Sequence, residues 1–252
     1  MSHKSSTQYP GGKGGEGVYQ TIINQIPPHE VYIEPFAGGA AIFRHKRLAE
    51  QTILCEQNPE QAEKLRNDQE VNGVKVIHGD GLQLMQLHSL PPIAGRRTVW
   101  YCDPPYPLDT RTKREVYGDQ EWTDDDHWKF LDLALKLGGT SPLAASDVGY
   151  PISHFLLIST YPNKLYEQVL RYWRRIEFEA MTRGGVKRTE WLFMNYAAPT
   201  ELHDYRYYGR NKRQREVIRR AGRSMARKIK ARHARDPLAA KAVMSYLQGA
   251  VE

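Results

Sequence analysis

Residues able to do chemistry gather where apolar runs stop. The stretch Val99-Trp100-Tyr101-Cys102 ends at Asp103, followed by Pro104, Pro105, Tyr106 and Pro107. A carboxylate there accepts hydrogen bonds, the prolines fix φ and so preset the direction of the Pro104 carbonyl, and an exposed Tyr106 ring offers a face for stacking. An earlier run, Val31 to Glu34, passes into Pro35, Phe36, Ala37, Gly38 and Gly39. Glycine there permits a tight turn and close backbone approach by a ligand. A further run ends at Glu56, 22 residues after Glu34. An acid at about that spacing commonly holds the ribose hydroxyls of a bound nucleotide. Another run ends at Gly79-Asp80, where a carboxylate is placed to accept from an exocyclic amine. Singly, each has a plain structural reading: a turn that binds NAD, FAD or nothing, or a solvated strand end. Together, in this order, they point to a ligand site.

The elements that must position these residues alternate. Strands are expected at Val31–Glu34, Thr52–Glu56, Val74–His78, Arg97–Cys102 and Phe155–Ser159. Helices are expected from Ala40 to about Glu50, Pro59 to about Glu70, Thr123 to Leu137, and in a separate stretch after the fifth strand through Leu170. Thr123 suits the N-cap, and Asp124, Asp125 and Asp126 suit the positive end of the helix dipole. Arg174–Met181 and Glu190–Tyr196 read as a closing antiparallel pair. The alternation predicts an α/β fold with a doubly wound, mostly parallel sheet, in which ligands sit outside the carboxyl ends of the strands. Gly138 to Ser153 reads as a loop with no assigned chemistry.

The chain has 252 residues and net charge +7. From Arg206 to Arg235 there are 13 Lys/Arg against one acid, Glu216, a net +12 that leaves about −5 for the rest. A catalytic domain over 1–200 with a basic helical extension over 201–252 is expected. Ile218, Ala221, Met225 and Ile229 recur at helical spacing in that arm, and Asp236-Pro237 restarts a second helix. Such an arm suits a polyanion, nucleic acid first and an anionic membrane surface second. No apolar run approaches the roughly 18 to 20 residues that span a bilayer, and no secretory h-region stands at the N-terminus, so a cytoplasmic protein is expected. Cys55 and Cys102 read as packed free thiols, and with nine scattered His they give no metal-ligand spacing.

The four clusters resemble the Dam-like amino-methyltransferases that methylate adenine N6 in DNA. Tyr9-Pro10-Gly11-Gly12-Lys13 resembles the family's N-terminal GGK element, Glu34 to Gly39 its S-adenosylmethionine (AdoMet) loop, and Asp103-Pro104-Pro105-Tyr106 its catalytic motif. Arg183-Gly184-Gly185-Val186-Lys187-Arg188 resembles its basic hairpin, and Leu202 to Gly209 resembles tails of phage and prophage adenine methylases. The resemblance covers most of residues 9 to 196 and implies a Rossmann-like methyltransferase sheet with AdoMet as cofactor. It also implies that Lys13 and Tyr9 close over cofactor and base, that Phe36 lines the AdoMet pocket, that Glu56 binds its ribose and Asp80 its adenine amine, and that Tyr106 stacks on a flipped base.

Dam-like enzymes place a sizeable recognition segment between the third strand and this motif. Here Asp80 and Asp103 are 23 positions apart, so weak or very short sequence preference is expected. Candidates for DNA contact are Arg111, Lys113 and Arg114; Arg183, Lys187 and Arg188; and Arg210, Lys212, Arg213, Arg215, Arg219 and Arg220. RNA adenine or a cytosine N4 amine presents the same NH2 chemistry. A non-catalytic DNA-binding protein on the same scaffold has no use for Asp103, Pro104 and Tyr106 together. A nicotinamide oxidoreductase lacks the GxGxxG spacing here.

Overall fold

The computed structural model describes residues 12–88, 96–110, 121–139, 153–181 and 185–249. The chain divides into two compact units, Met1–Asp204 and Tyr205–Glu252. In the first, the order is α1 (Val18–Ile23), β1 (Val31–Glu34), α2 (Ala41–His45), β2 (Gln51–Glu56), α3 (Pro59–Arg66), β3 (Lys75–His78), α4 (Gly81–His88), β4 (Thr98–Cys102), α5 (Asp124–Gly138), β5 (His154–Thr160), α6 (Lys164–Val169), β6 (Arg174–Met181) and β7 (Lys187–Met194). One seven-stranded sheet results, ordered β3-β2-β1-β4-β5-β7-β6. The pairs β1–β2, β1–β4, β2–β3 and β4–β5 are parallel, and β7 runs antiparallel between β5 and β6. The doubly wound sheet with an antiparallel closing pair is as the alternation predicted.

Central strands are buried on both faces, which is why they read as continuous apolar runs. All five residues of β4 and all four of β1 are buried. Val31, Ile33, Trp100 and Cys102 face a core with Phe130, Leu131, Ala134, Tyr166 and Phe193. Glu34 sits in phase with Tyr32 on the opposite face, and accepts a 2.7 Å hydrogen bond from its hydroxyl. Strand order reverses between β1 and β4, and at that switch point a crevice opens beyond the strand ends.

Three helices differ from expectation, α3 ending at Arg66 rather than near Glu70. α2 stops at His45 rather than near Glu50, because Lys46 turns extended and its ammonium lies 4.0 Å from the Tyr32 ring centroid. α1 was not anticipated: it spans six residues and starts at Gly17, φ 94°, without a side-chain cap. The start of α5 is as read. Thr123 Oγ1 accepts from Asp126 N, and Asp126 Oδ2 accepts from Thr123 N at 3.0 Å. Both cysteines are buried free thiols. Residues 202–204 are tied into the first unit: His203 N donates to Ile26 O, and Asp204 accepts from Arg47 N.

In the second unit, α7 (Lys212–Arg235) and α8 (Pro237–Gly249) pack on each other. Asn211 caps α7 by accepting from Gln214 N, and Asp236 caps α8 by accepting from Ala239 N. No residue of α7 is buried, so the stripe containing Ile218 and Met225 lies exposed. Among the described residues no helix is long and apolar enough to cross a membrane.

Candidate active site

A cleft of about 770 Å³, counting the part open to solvent, lies over the carboxyl ends of β1 and β4. Lys13, Glu34 to Gly39, Glu56, Gly81, Tyr101, Asp103, Pro105 and Trp122 are among its lining residues. Sequence reasoning had named ten of these positions as site residues, and the topology brings them together from across 92 positions of chain.

The loop after β1 is held from below. Glu56 Oε2 accepts from Gly38 N at 2.7 Å, and its Oε1 from Asn58 N at 2.8 Å. One carboxylate thus fixes both the glycine turn and the start of α3. Burial pushes its pKa up, and these backbone N–H groups pull against that. Gly38 takes φ 52°, and so does Ala40, a non-glycine residue in the left-handed region. That geometry costs about 1 kcal/mol or more and persists because Ala40 is wholly buried as it opens α2. Glu34 sits beneath the loop, accepting from Tyr32 and, at 2.9 Å, from Phe43 N. Its burial raises its pKa to about 7.

Asp103 stands at the mouth. Lys13 Nζ donates to both carboxylate oxygens, at 2.9 and 2.8 Å, with the Lys13 side chain 3% exposed and that of Asp103 20%. The same ammonium lies 3.5 Å from Glu190 Oε2 on β7 and 5.0 Å from the Tyr106 ring centroid. The Tyr106 hydroxyl lies 3.1 Å from Asp103 Oδ1 and 3.0 Å from Glu190 Oε2. The ring expected to be exposed is buried, because its hydroxyl reaches two carboxyls and its face meets the edge of Tyr161 at 4.5 Å.

The far wall is aromatic. Phe36 meets Trp122 edge-on at 5.2 Å and Phe130 at 5.7 Å. Trp122 escaped the sequence reading, yet a signal existed. It directly precedes the Thr123 cap and packs on His127 in the first turn at 5.2 Å, the pattern of a hydrophobic staple. Glu190 also escaped; its signal is an acid in phase with Leu192 and Met194 on an apolar strand.

Other expected residues fall elsewhere. Asp80 Oδ1 accepts from Leu82 N and caps α4, so its neighbour Gly81, not Asp80, lines the cleft. Lys187 is exposed and paired with Glu179 at 2.8 Å across β6–β7. Arg188 donates to Thr110 O at 3.0 Å and lies 5.5 Å from the Tyr161 ring centroid, on the site's side of β7. Arg210, Lys212, Arg213, Arg219 and Arg220 are exposed in the second unit; Arg215 is half-buried and donates to Gly209 O. Tyr9, Arg111, Lys113, Arg114 and Arg183 lie outside the described residues. Among the described residues no group of three or more His, Cys, Asp or Glu is placed to hold a metal ion.

No protein-family model and no curated protein sequence matches this chain. Solved structures similar to it include the 23S rRNA methyltransferase ErmE, at 13% identity over 73% of this chain and 69% of that one, TM-score 0.43. Another is a SAM-dependent methyltransferase of Agrobacterium tumefaciens, at 11% identity over 71% and 60%, TM-score 0.41. A third is a precorrin 8W decarboxylase of Methanobacterium thermoautotrophicum, at 11% identity over 75% and 94%, TM-score 0.43. Likeness at this level does not extend to chemistry.

Proposed function

We propose that the chain is an AdoMet-dependent amino-methyltransferase acting on adenine N6 in DNA, with weak or very short sequence preference. One observation carries this reading: Asp103, with Lys13 on its carboxylate and Tyr106 against it, meets the Glu34–Gly39 loop across a single cleft. The resemblance of Asp103-Pro104-Pro105-Tyr106 to the amino-methyltransferase motif supports the choice of reaction.

The residues fit the cofactor. Gly81 lets the Pro35 carbonyl and the Phe36 ring close against the start of α4, where a Cβ would collide with both, and so sets the place of that ring in the cleft wall. Glu56, with both oxygens on backbone N–H groups, keeps lone pairs for ribose hydroxyls. Phe36 and Trp122 offer apolar faces. AdoMet supplies a methyl group on a positively charged sulfur, which is a good leaving group.

The chain's own work is to bind, orient and polarise. An adenine amine is a poor nucleophile because its lone pair is delocalised into the ring. Asp103 and the Pro104 carbonyl, both accepting from the NH2, favour a pyramidal nitrogen with its lone pair free. Lys13 offsets the charge of Asp103, and Tyr106 orients its Oδ1. Rate comes from positioning and from charges fixed before reaction. A base inside a duplex cannot reach such a site, so the target must be flipped out or single-stranded. The basic second unit supplies phosphate contacts, which give affinity without sequence information.

The test is methyl transfer from AdoMet to DNA carrying adenines in many contexts, with every N6-methyladenine mapped, Asp103→Ala in parallel and an RNA arm. Wild type should methylate many contexts and Asp103→Ala none, with AdoMet binding retained. Transfer to RNA alone would move the substrate. No transfer to either, with no AdoMet bound, would refute the reading.

A further inference from the structure

We infer that Glu190 is a positioning residue that carries a proton, holding it toward the Tyr106 hydroxyl so that the phenol in turn donates to Asp103. The catalytic meaning of this relay rests on the methyl-transfer reading above; the proton itself does not.

The inference begins from a count of hydrogens. Tyr106 has one O–H, yet its oxygen lies 3.1 Å from Asp103 Oδ1 and 3.0 Å from Glu190 Oε2. An ionised carboxyl only accepts. Two ionised carboxyls would leave one of these contacts as an oxygen facing an oxygen with no proton between. Both become hydrogen bonds when one carboxyl is an acid that donates to the phenol oxygen.

Lys13 identifies which one. Its ammonium holds both oxygens of Asp103, at 2.9 and 2.8 Å, and stands 3.5 Å from Glu190. The Asp103 side chain is 20% exposed, that of Glu190 6%. The better-solvated carboxyl, in two-point contact with the cation, keeps the charge, and the more buried one keeps the proton. Burial is the first cause raising the Glu190 pKa; the Asp103 charge adds to it, while Lys13 and the Tyr106 hydrogen bond oppose it. Among the described residues, the other groups acting on this corner are Glu34 on β1, Tyr101 on β4, Tyr161 after β5 and, farther out, Arg188 over the Tyr161 ring. With the proton on Glu190, Lys13 and Asp103 balance, and no unpaired charge is buried.

The consequence is directional. The chain of donation Glu190 to Tyr106 to Asp103 fixes the carboxylate as an acceptor and fixes its rotation, as a base amine at the cleft requires.

The experiment is a pH titration of protein labelled with ¹³C at glutamate carboxyls. Glu190→Gln, with Glu190→Asp as a second variant, assigns the Glu190 signal, and Glu34→Gln and Glu56→Gln separate the other two raised glutamates. The Glu190 signal is expected to titrate well above the ordinary glutamate range near 4.3. Methyl transfer is read in the same proteins. Glu190→Gln, whose amide can donate to Tyr106, should stay close to wild type and lose the fall in kcat on the alkaline side. Glu190→Ala should fall on the order of 100-fold. A signal titrating with the ordinary glutamates, or Glu190→Gln falling as far as Glu190→Ala, would overturn the inference. If wild type transfers no methyl group, the titration still decides the proton, and the functional reading fails separately.

Discussion

Gly81→Ala tests where the cofactor lies. Gly81 opens α4 directly after the Asp80 cap, and a Cβ placed on it would collide with the Pro35 carbonyl oxygen and with Cε1 of Phe36, and stand 2.7 Å from Phe36 Cδ1. The Gly81 backbone is not in the left-handed region, so the whole cost is steric. Pro35 O is backbone in the loop pinned by Glu56 and cannot retreat cheaply; the Phe36 ring can swing, but only off Trp122 and Phe130. Overpacking of this kind costs about 1–3 kcal/mol. For a unit of this size each kcal/mol lowers Tm by about 2–4 °C. A ring driven from the cleft wall should also weaken AdoMet binding about tenfold, equivalent to about 1.4 kcal/mol. Differential scanning fluorimetry reads the first effect and isothermal titration calorimetry the second. Gly222→Ala is the control: nothing lies within 4 Å of its Cβ, so it should leave AdoMet binding unchanged and favour its helix by about 1 kcal/mol. A Gly81→Ala protein with wild-type Tm and wild-type AdoMet affinity would refute the geometry. A lowered Tm with unchanged affinity would place the cofactor away from Phe36.

Lys13→Met should abolish methyl transfer and destabilise the fold in urea by about 3 kcal/mol, the lower part of the range for breaking a buried pair, since the Asp103 side chain is one-fifth exposed. DNA affinity should fall steeply with salt, and changing Arg219 and Arg220 together to Ala should flatten the slope of log K against log salt by about two while AdoMet binding stays constant. Stability against pH should show two opposed slopes. His29, its pKa lowered to about 2 chiefly by burial, is neutral when folded, so stability falls as pH drops below 6.5, at about 1.4 kcal/mol per unit. Glu34, its pKa raised to about 7 chiefly by burial, stabilises the fold fully only below pH 4.5 and loses that as pH rises to 7, so the two cancel between 4.5 and 6.5 and His29 alone acts below. Urea melts of His29→Gln and Glu34→Gln at pH 4, 5.5 and 7.5 should expose each slope singly.

How far the sequence revealed the molecule follows from where its information is local. Strands β1, β4, β5 and β6 were legible because they are apolar runs or alternations bounded by turn residues. The Asp103-Pro104-Pro105-Tyr106 corner was legible because two prolines after a carboxylate are rare and chemically specific. Glu190 was not, because its partners come from segments 177, 87 and 84 residues away, and only the β5–β7–β6 order brings that strand beside Tyr106. Asp80 shows how one residue type serves two ends. An acid at a strand end fits both a ligand and a helix cap, and the Asp80–Leu82 hydrogen bond puts it to the second use. The apolar stripe of α7 was legible as periodicity, but periodicity says nothing of what covers it.

The site's electrostatics constrain its chemistry more tightly than its motifs do. Glu34, Asp103 and Glu190 each lie partly or wholly out of water, and among the described residues two buried cations act on them, Lys13 on Asp103 and Glu190 and Lys46 on Glu34. Three ionised carboxyls against two ammoniums would leave an unpaired buried charge. The fold resolves this with protons rather than with more cations: burial holds Glu34 near neutrality at about pH 7 and raises Glu190, which leaves Asp103 to carry the charge that Lys13 balances. A cleft so arranged presents one oriented carboxylate, Asp103, beside a second, Glu56, whose oxygens are held by backbone N–H groups. That combination suits a cofactor that arrives with a positive sulfur and leaves without it, and a substrate amine that must donate hydrogen bonds without being protonated. A site built to hold a phosphate or another anion would need the reverse, free cations facing inward, and the chain's exposed cations are concentrated instead in Tyr205–Glu252. Under the proposed function, polyanion affinity and amine chemistry would be separated along the chain, a phosphate backbone bound in one place and a base reacted in another.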